Sequence, residues 1–141
     1  MILYVDSSAL IKRYVNEPGS TDVVNWLKRA ELIGTALITR AEMIATFARS
    51  ARGNRITVQG TMEVMNEFRA NWHNYQHVNI DDTLVARADY IAETYALRGY
   101  DAIHLACALT WGELLGAPVT IASFDRELLD AAQKTGLKTL P

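Results

Sequence analysis

Apolar and polar positions along the chain change period abruptly, and the first change comes at the start. Ile2, Leu3, Tyr4 and Val5 form an unbroken apolar and aromatic run, too short for a helix and suited to a strand buried on both faces, as parallel strands are. Ala9, Leu10, Ile11, Tyr14 and Val15 then recur at helical spacing behind Ser7 and Ser8, two residues that favour helix N-caps. The chain is therefore expected to turn from strand into helix directly after Asp6, which places a carboxylate at the carboxyl end of a buried strand.

The same alternation continues. Glu17-Pro18-Gly19 interrupts the pattern, and Ser20 is read as the N-cap of a second helix through Val23, Val24, Trp26 and Leu27. Leu32 to Ile38 reads as a strand. Thr39-Arg40-Ala41-Glu42 opens a third helix ending at Gly53, and a fourth is expected from about Thr57 to Trp72. His77 to Ile80 is a short strand, and Asp81-Asp82 caps a fifth helix that Arg98-Gly99 closes, Gly being the usual residue just past a helix end. Tyr100 to Leu115 is almost free of charge inside, as expected of a helix packed on nearly every side. Val119 to Ala122 reads as a strand, a last helix holds Leu128, Leu129 and Ala132, and Leu137 to Leu140 reads as an edge strand. Strands alternating with helices imply an α/β fold: a three-layer α/β/α sandwich around a central, mainly parallel twisted sheet.

Composition narrows the class. With 141 residues, half of them apolar and 21% charged, the chain suits one domain, residues 1–141, with a full core, and a disordered reading is excluded. No apolar run approaches the ~20 residues of a membrane span, and Met1 leads directly into the first strand, so a cytoplasmic protein with no membrane partner is expected. The single cysteine, Cys107, lies among apolar neighbours and reads as a small buried hydrophobe. A formal net charge of −2 makes the whole molecule no magnet for polyanions. Nucleic-acid binding would need a local basic patch, or a metal that reverses the sign of an acidic site.

Four acids stand where the local pattern requires acidity weakly or not at all: Asp6, Glu42, Asp101 and Asp125. In a parallel sheet, strand ends and the helix starts that follow them share one rim, so the four can converge, where ligands bind in open α/β sheets. Each also has a plainer reading. Glu42, three residues after Thr39, fits a capping box; Asp101 suits the first turn of a helix dipole; Asp125 suits an N-cap. Asp6 is hardest to explain that way, since Ser7 and Ser8 already supply a cap. Converged carboxylates repel unless a cation joins them, and oxygen ligands without a His or Cys cluster favour Mg²⁺ or Mn²⁺. Such an ion suits phosphodiester hydrolysis, activating water and stabilising the oxyanions of an in-line displacement.

Val5-Asp6-Ser7-Ser8-Ala9-Leu10-Ile11-Lys12, Glu42, Leu97-Arg98-Gly99-Tyr100-Asp101-Ala102-Ile103-His104-Leu105-Ala106 and Ser123-Phe124-Asp125-Arg126 resemble the PIN-domain family in order and spacing. The opening through Tyr14, with the Glu17-Pro18-Gly19-Ser20 segment, is similar to VapC-type toxins of toxin–antitoxin pairs. The resemblance implies a Mg²⁺- or Mn²⁺-dependent endoribonuclease whose acidic quartet corresponds to Asp6, Glu42, Asp101 and Asp125. It further implies Ser7 and Ser123 as hydroxyls orienting those carboxylates, a homodimer, a cognate antitoxin protein, and an RNA substrate such as tRNA, rRNA or mRNA.

Other polar groups carry weaker claims. Lys12, Arg13 and Arg49, with Arg52 and Arg55, are candidates for RNA phosphates or a protein partner, against the default of a solvated charged face. His104, three residues past Asp101, can reach the site as a proton shuttle, but a hydrogen-bonded structural histidine is the simpler reading in so apolar a helix. Trp72 and Tyr75 suit base stacking or packing equally, and His73 and His77 show no convincing ligand spacing. A non-catalytic PIN-like module that binds RNA or protein is the main alternative. A phosphotransfer domain is a third, disfavoured because Ser8 stands where an aspartyl phosphatase carries its second Asp and no strand-end Lys completes a receiver site.

Overall fold

The computed structural model describes residues 1–53 and 56–141; Arg55 lies outside the described residues. The elements follow in the order β1 (Ile2–Val5), α1 (Ser7–Tyr14), α2 (Ser20–Arg29), β2 (Leu32–Ala36), α3 (Thr39–Arg52), α4 (Val58–Asn71), a 3₁₀ turn at Trp72–Asn74, β3 (Gln76–Val78), α5 (Asp82–Tyr95), α6 (Gly99–Leu115), β4 (Val119–Ala122), α7 (Arg126–Lys134) and β5 (Lys138–Leu140). The five strands lie in the order β3-β2-β1-β4-β5, and every pairing between neighbours is parallel.

β1 sits at the centre because its side chains feed two cores at once. Tyr4 points to one face, among residues of α5, α6 and α7, while Leu3 and Val5 point to the other, among residues of α1 to α4 and Trp72. The result is the expected three layers. Along the chain, strands are added on one side of β1 as far as β3 and then on the other side as β4 and β5. The carboxyl ends of β1 and β4 thus border the point where strand order reverses, the usual crevice for ligands in such sheets. β2 crosses close under α6: a Cβ on Gly34 would lie 2.5–2.7 Å from three ring atoms of Trp111, so only glycine fits.

Several local expectations are corrected. β2 stops at Ala36, two residues early, because Leu37, Ile38 and the start of α3 turn the chain toward the rim. Ser20 is the first residue of α2 and Gly19, at φ 92°, precedes it as the cap; the Ser20 hydroxyl donates to the Val15 carbonyl at 3.0 Å and so ties α1 to α2. α5 ends at Ala96, which takes the left-handed conformation (φ 54°, ψ 37°), whereas Gly99 begins α6. Thr39 and Glu42 form no capping box: Thr39 lies 2.8 Å from the Thr35 hydroxyl, and Glu42 faces α6.

Candidate functional site

Asp6 is itself the N-cap of α1, in contrast to the expectation that Ser7 and Ser8 fill that role. Its backbone is extended (φ −83°, ψ 175°), and Oδ1 accepts the Ala9 N–H at 2.9 Å. A carboxylate accepts from several donors at once, and two hydroxyls complete the set: Ser8 Oγ donates at 2.8 Å from Oδ1 and 2.9 Å from Oδ2, and Ser123 Oγ donates to Oδ2 at 2.7 Å. Each of these serines also accepts a backbone N–H from the segment after β4, Ser8 from Phe124 at 2.8 Å and Ser123 from Asp125 at 3.0 Å. The ends of β1 and β4 are thereby joined through one buried carboxylate. Ser8 does what was expected of Ser7, because the residue two beyond an N-cap folds back toward the capping side chain, and Ser7 instead lines the open cavity.

Asp6 is 3% exposed, and burial raises its pKa even though His104, the Ala9 N–H and the hydroxyls of Ser123 and Ser8 pull the other way. Glu42, in the first turn of α3, reaches across to α6, where its Oε2 lies 2.9 Å from His104 Nε2. His104 is 2% exposed, and its Nδ1 lies 2.9 Å from the Tyr4 hydroxyl. An ionised Glu42 only accepts, so Nε2 carries a proton and the ring is fixed from both sides. Burial disfavours the imidazolium, yet the hydrogen bond to Glu42 and the fields of Asp6, Glu42 and Asp101 outweigh it, and the His104 pKa stands above its ordinary value.

Asp101 lies in the first turn of α6, and Asp125 is the N-cap of α7, accepting the Leu128 N–H at 3.0 Å. One residue joins them: Arg98 donates through Nε to Asp101 at 2.8 Å and through its terminal nitrogen to Asp125. Asp6, Glu42, Asp101 and Asp125 together line a single open cavity of about 270 Å³, with Ser7, Ser8, Arg98, Tyr100 and His104. Four carboxylates face one permanent cation, an excess of three negative charges, or two when His104 is protonated. Among the described residues no three such groups are drawn together as a ready-made cage for an ion, since Arg98 holds the outer pair and His104 holds Glu42. The donor set is nevertheless hard oxygen throughout, the chemistry suited to Mg²⁺ or Mn²⁺.

The basic candidates divide. Lys12 does not face the cavity: its ammonium is held by Glu17 at 2.7 Å and the Pro18 carbonyl at 2.9 Å, over the Phe124 ring. Arg13 is exposed beside Tyr14 and does not line the acidic cavity. Arg49 lines a neighbouring cleft and donates to Thr46 Oγ1 at 3.2 Å. Trp72 and Tyr75 are buried and unavailable for base stacking, and His77 stacks on Trp72 with ring centroids 4.2 Å apart. Arg98, Tyr4 and Tyr100 were not singled out as site residues in the sequence. An arginine three residues before a first-turn aspartate was the one available signal, because that spacing brings two side chains together. Tyr4 gave none, since a tyrosine in an apolar run reads only as core.

The PIN domain model matches residues 3–134. The chain belongs to the PIN domain family. Among curated relatives of this PIN domain, "Ribonuclease VapC45" of Mycobacterium tuberculosis is 27% identical over 140 residues, spanning 99% of this chain and 95% of that protein. "Ribonuclease VapC47" of the same species is 28% identical over 144 residues, spanning 98% and 95%. Solved structures share the fold. FitAcB from Neisseria gonorrhoeae superposes with a TM-score of 0.71 at 16% identity over 99% of this chain and 97% of that one. A toxin–antitoxin complex from Klebsiella pneumoniae gives 0.57 at 18% identity over 85% and 84%.

Proposed function

We propose that this PIN domain is an endoribonuclease, dependent on Mg²⁺ or Mn²⁺, that serves as the toxin of a toxin–antitoxin pair. The observation that carries the reading is the ring of Asp6, Glu42, Asp101 and Asp125, from four separate elements, around one cavity that a single guanidinium leaves strongly negative. Relatives named ribonuclease and a toxin–antitoxin complex among the structural neighbours support it. The four acids are the proposed ligands, and a divalent ion held by them supplies water activation and charge neutralisation at the phosphoryl oxygens.

The protein's own groups prepare the rest. Ser8 and Ser123 fix the two oxygens of Asp6, and the Tyr4–His104 pair fixes Glu42, so neither carboxylate has to reorganise during the reaction. Arg98, 70% exposed along its side chain at the cavity mouth, is placed to take a substrate phosphate oxygen once Asp101 and Asp125 are engaged. The reading includes an RNA substrate, a cognate antitoxin, a homodimer and a cytoplasmic setting, with residues 1–141 acting as a single domain. No helix among the described residues is long and apolar enough to cross a membrane.

Incubation of the purified protein with RNA in Mg²⁺ or Mn²⁺ tests the proposal. Cleavage is expected, with loss on chelation and loss in Asp6→Asn and Asp101→Asn. One observation favours the non-catalytic alternative: every acid already has a partner within the protein. RNA binding without cleavage in either metal would establish that alternative in place of the nuclease.

A further inference from the structure

We infer that the cleft beside the acidic cavity, between α3 and the start of α6, is a nucleobase subsite in which Tyr100 stacks on the base next to the scissile phosphate. The inference rests on the nuclease reading for the position of that phosphate. The cleft encloses about 440 Å³ and shares Ser7, Glu42 and Tyr100 with the acidic cavity, so the two form one continuous surface. Its walls differ in chemistry. Ile38, just before α3, and Ala41 and Ala45 on α3 supply a low, apolar wall. Opposite stands Tyr100, an aromatic side chain 60% exposed in the first turn of α6, directly before Asp101.

A large aromatic left in water at the edge of a reaction site, facing a shallow apolar wall, matches a flat heterocycle with two apolar faces and a polar edge. The far end of the cleft adds the charge that such a ligand requires. Arg49 lies two turns beyond Glu42 on α3, roughly 10 Å along the helix axis, and its guanidinium rests on the Thr46 hydroxyl at 3.2 Å. Glu42 and Arg49 therefore bracket the base wall, with the scissile phosphate at the acidic end and a neighbouring phosphate at the basic end. The acids alone would repel an RNA backbone; Arg49 fixes the direction in which the strand crosses them.

Fluorescence anisotropy of a labelled single-stranded RNA tests this, titrated with the non-cleaving Asp6→Asn protein in Mg²⁺. Adding Tyr100→Ala is expected to raise Kd about tenfold, the scale of one base–aromatic stack, whereas adding Tyr100→Phe, which keeps the ring, leaves Kd as it was. Adding Arg49→Gln is expected to lower the slope of log Kd against log salt by roughly one. With an oligonucleotide abasic throughout, Tyr100→Ala and its parent should bind alike. An unchanged Kd for Tyr100→Ala, or an equal loss on the abasic strand, overturns the subsite. Failure of the nuclease reading is separate: it shows as wild-type protein that binds RNA and cuts none.

Discussion

Replacing Asp6 by Asn separates what the carboxylate does for the fold from what it does for an ion. The amide oxygen still accepts the Ala9 N–H and the Ser8 hydroxyl, so the cap of α1 survives. At the other atom an acceptor becomes a donor facing Ser123 Oγ, which now donates at 2.7 Å. Losing a hydrogen bond to a charged group costs about 1.5–3 kcal/mol, and removing a buried charge returns a similar amount. The metal-free variant should therefore lie within about 1 kcal/mol of wild type. Metal separates the two proteins. An ion at a hundred times its dissociation constant stabilises the wild type by about 2.7 kcal/mol, which at roughly 3 °C per kcal/mol for a chain of this size is a rise of about 8 °C. Asp6→Asn should show less than half of that. Calorimetry with MgCl₂ against NaCl at matched ionic strength is the assay. Equal rises in the two proteins, or a wild-type rise no larger than NaCl gives, would refute the site. The pH dependence has a definite sign. Burial raises the folded pKa of Asp6 above its unfolded value, so its contribution to stability is complete in acid and is lost as pH rises through the folded pKa. In EDTA, wild type should therefore lose stability relative to Asp6→Asn as pH climbs above the ordinary carboxylate range.

Gly34→Ala should destabilise by about 1–3 kcal/mol, because the new methyl meets the Trp111 ring at 2.5–2.7 Å; denaturant melts check it, and the double variant Gly34→Ala with Trp111→Leu should recover part of the loss. Ala96→Gly should stabilise by roughly 0.5–1 kcal/mol, measured the same way, since it relieves a left-handed alanine at the end of α5. Burial pushes the Cys107 thiol up to about 12, so a thiol reagent at pH 8 should label the folded protein negligibly and the urea-unfolded protein stoichiometrically.

Period and punctuation in the sequence determined a good deal. The apolar run before Asp6, the uncharged interior of α6 and the run Val119–Ala122 have one workable use each, and they appear in the structure as a doubly covered central strand, a packed helix and a second central strand. Where two signals competed, local reasoning failed: Gly99 resembles a helix stop, yet it opens α6, and Ala96 took the left-handed turn. Asp6 was legible because a carboxylate beside a buried strand end has few reasons to be there. The partners of the four acids were not, since those depend on distances across the sheet. Only the tertiary structure chose Ser8 over Ser7, set Tyr4 and His104 behind Glu42, and stretched Arg98 between Asp101 and Asp125. Sequence spacing records which way a side chain faces along its own element. Which charges meet across a rim is decided by how strands from opposite ends of the chain come to lie side by side.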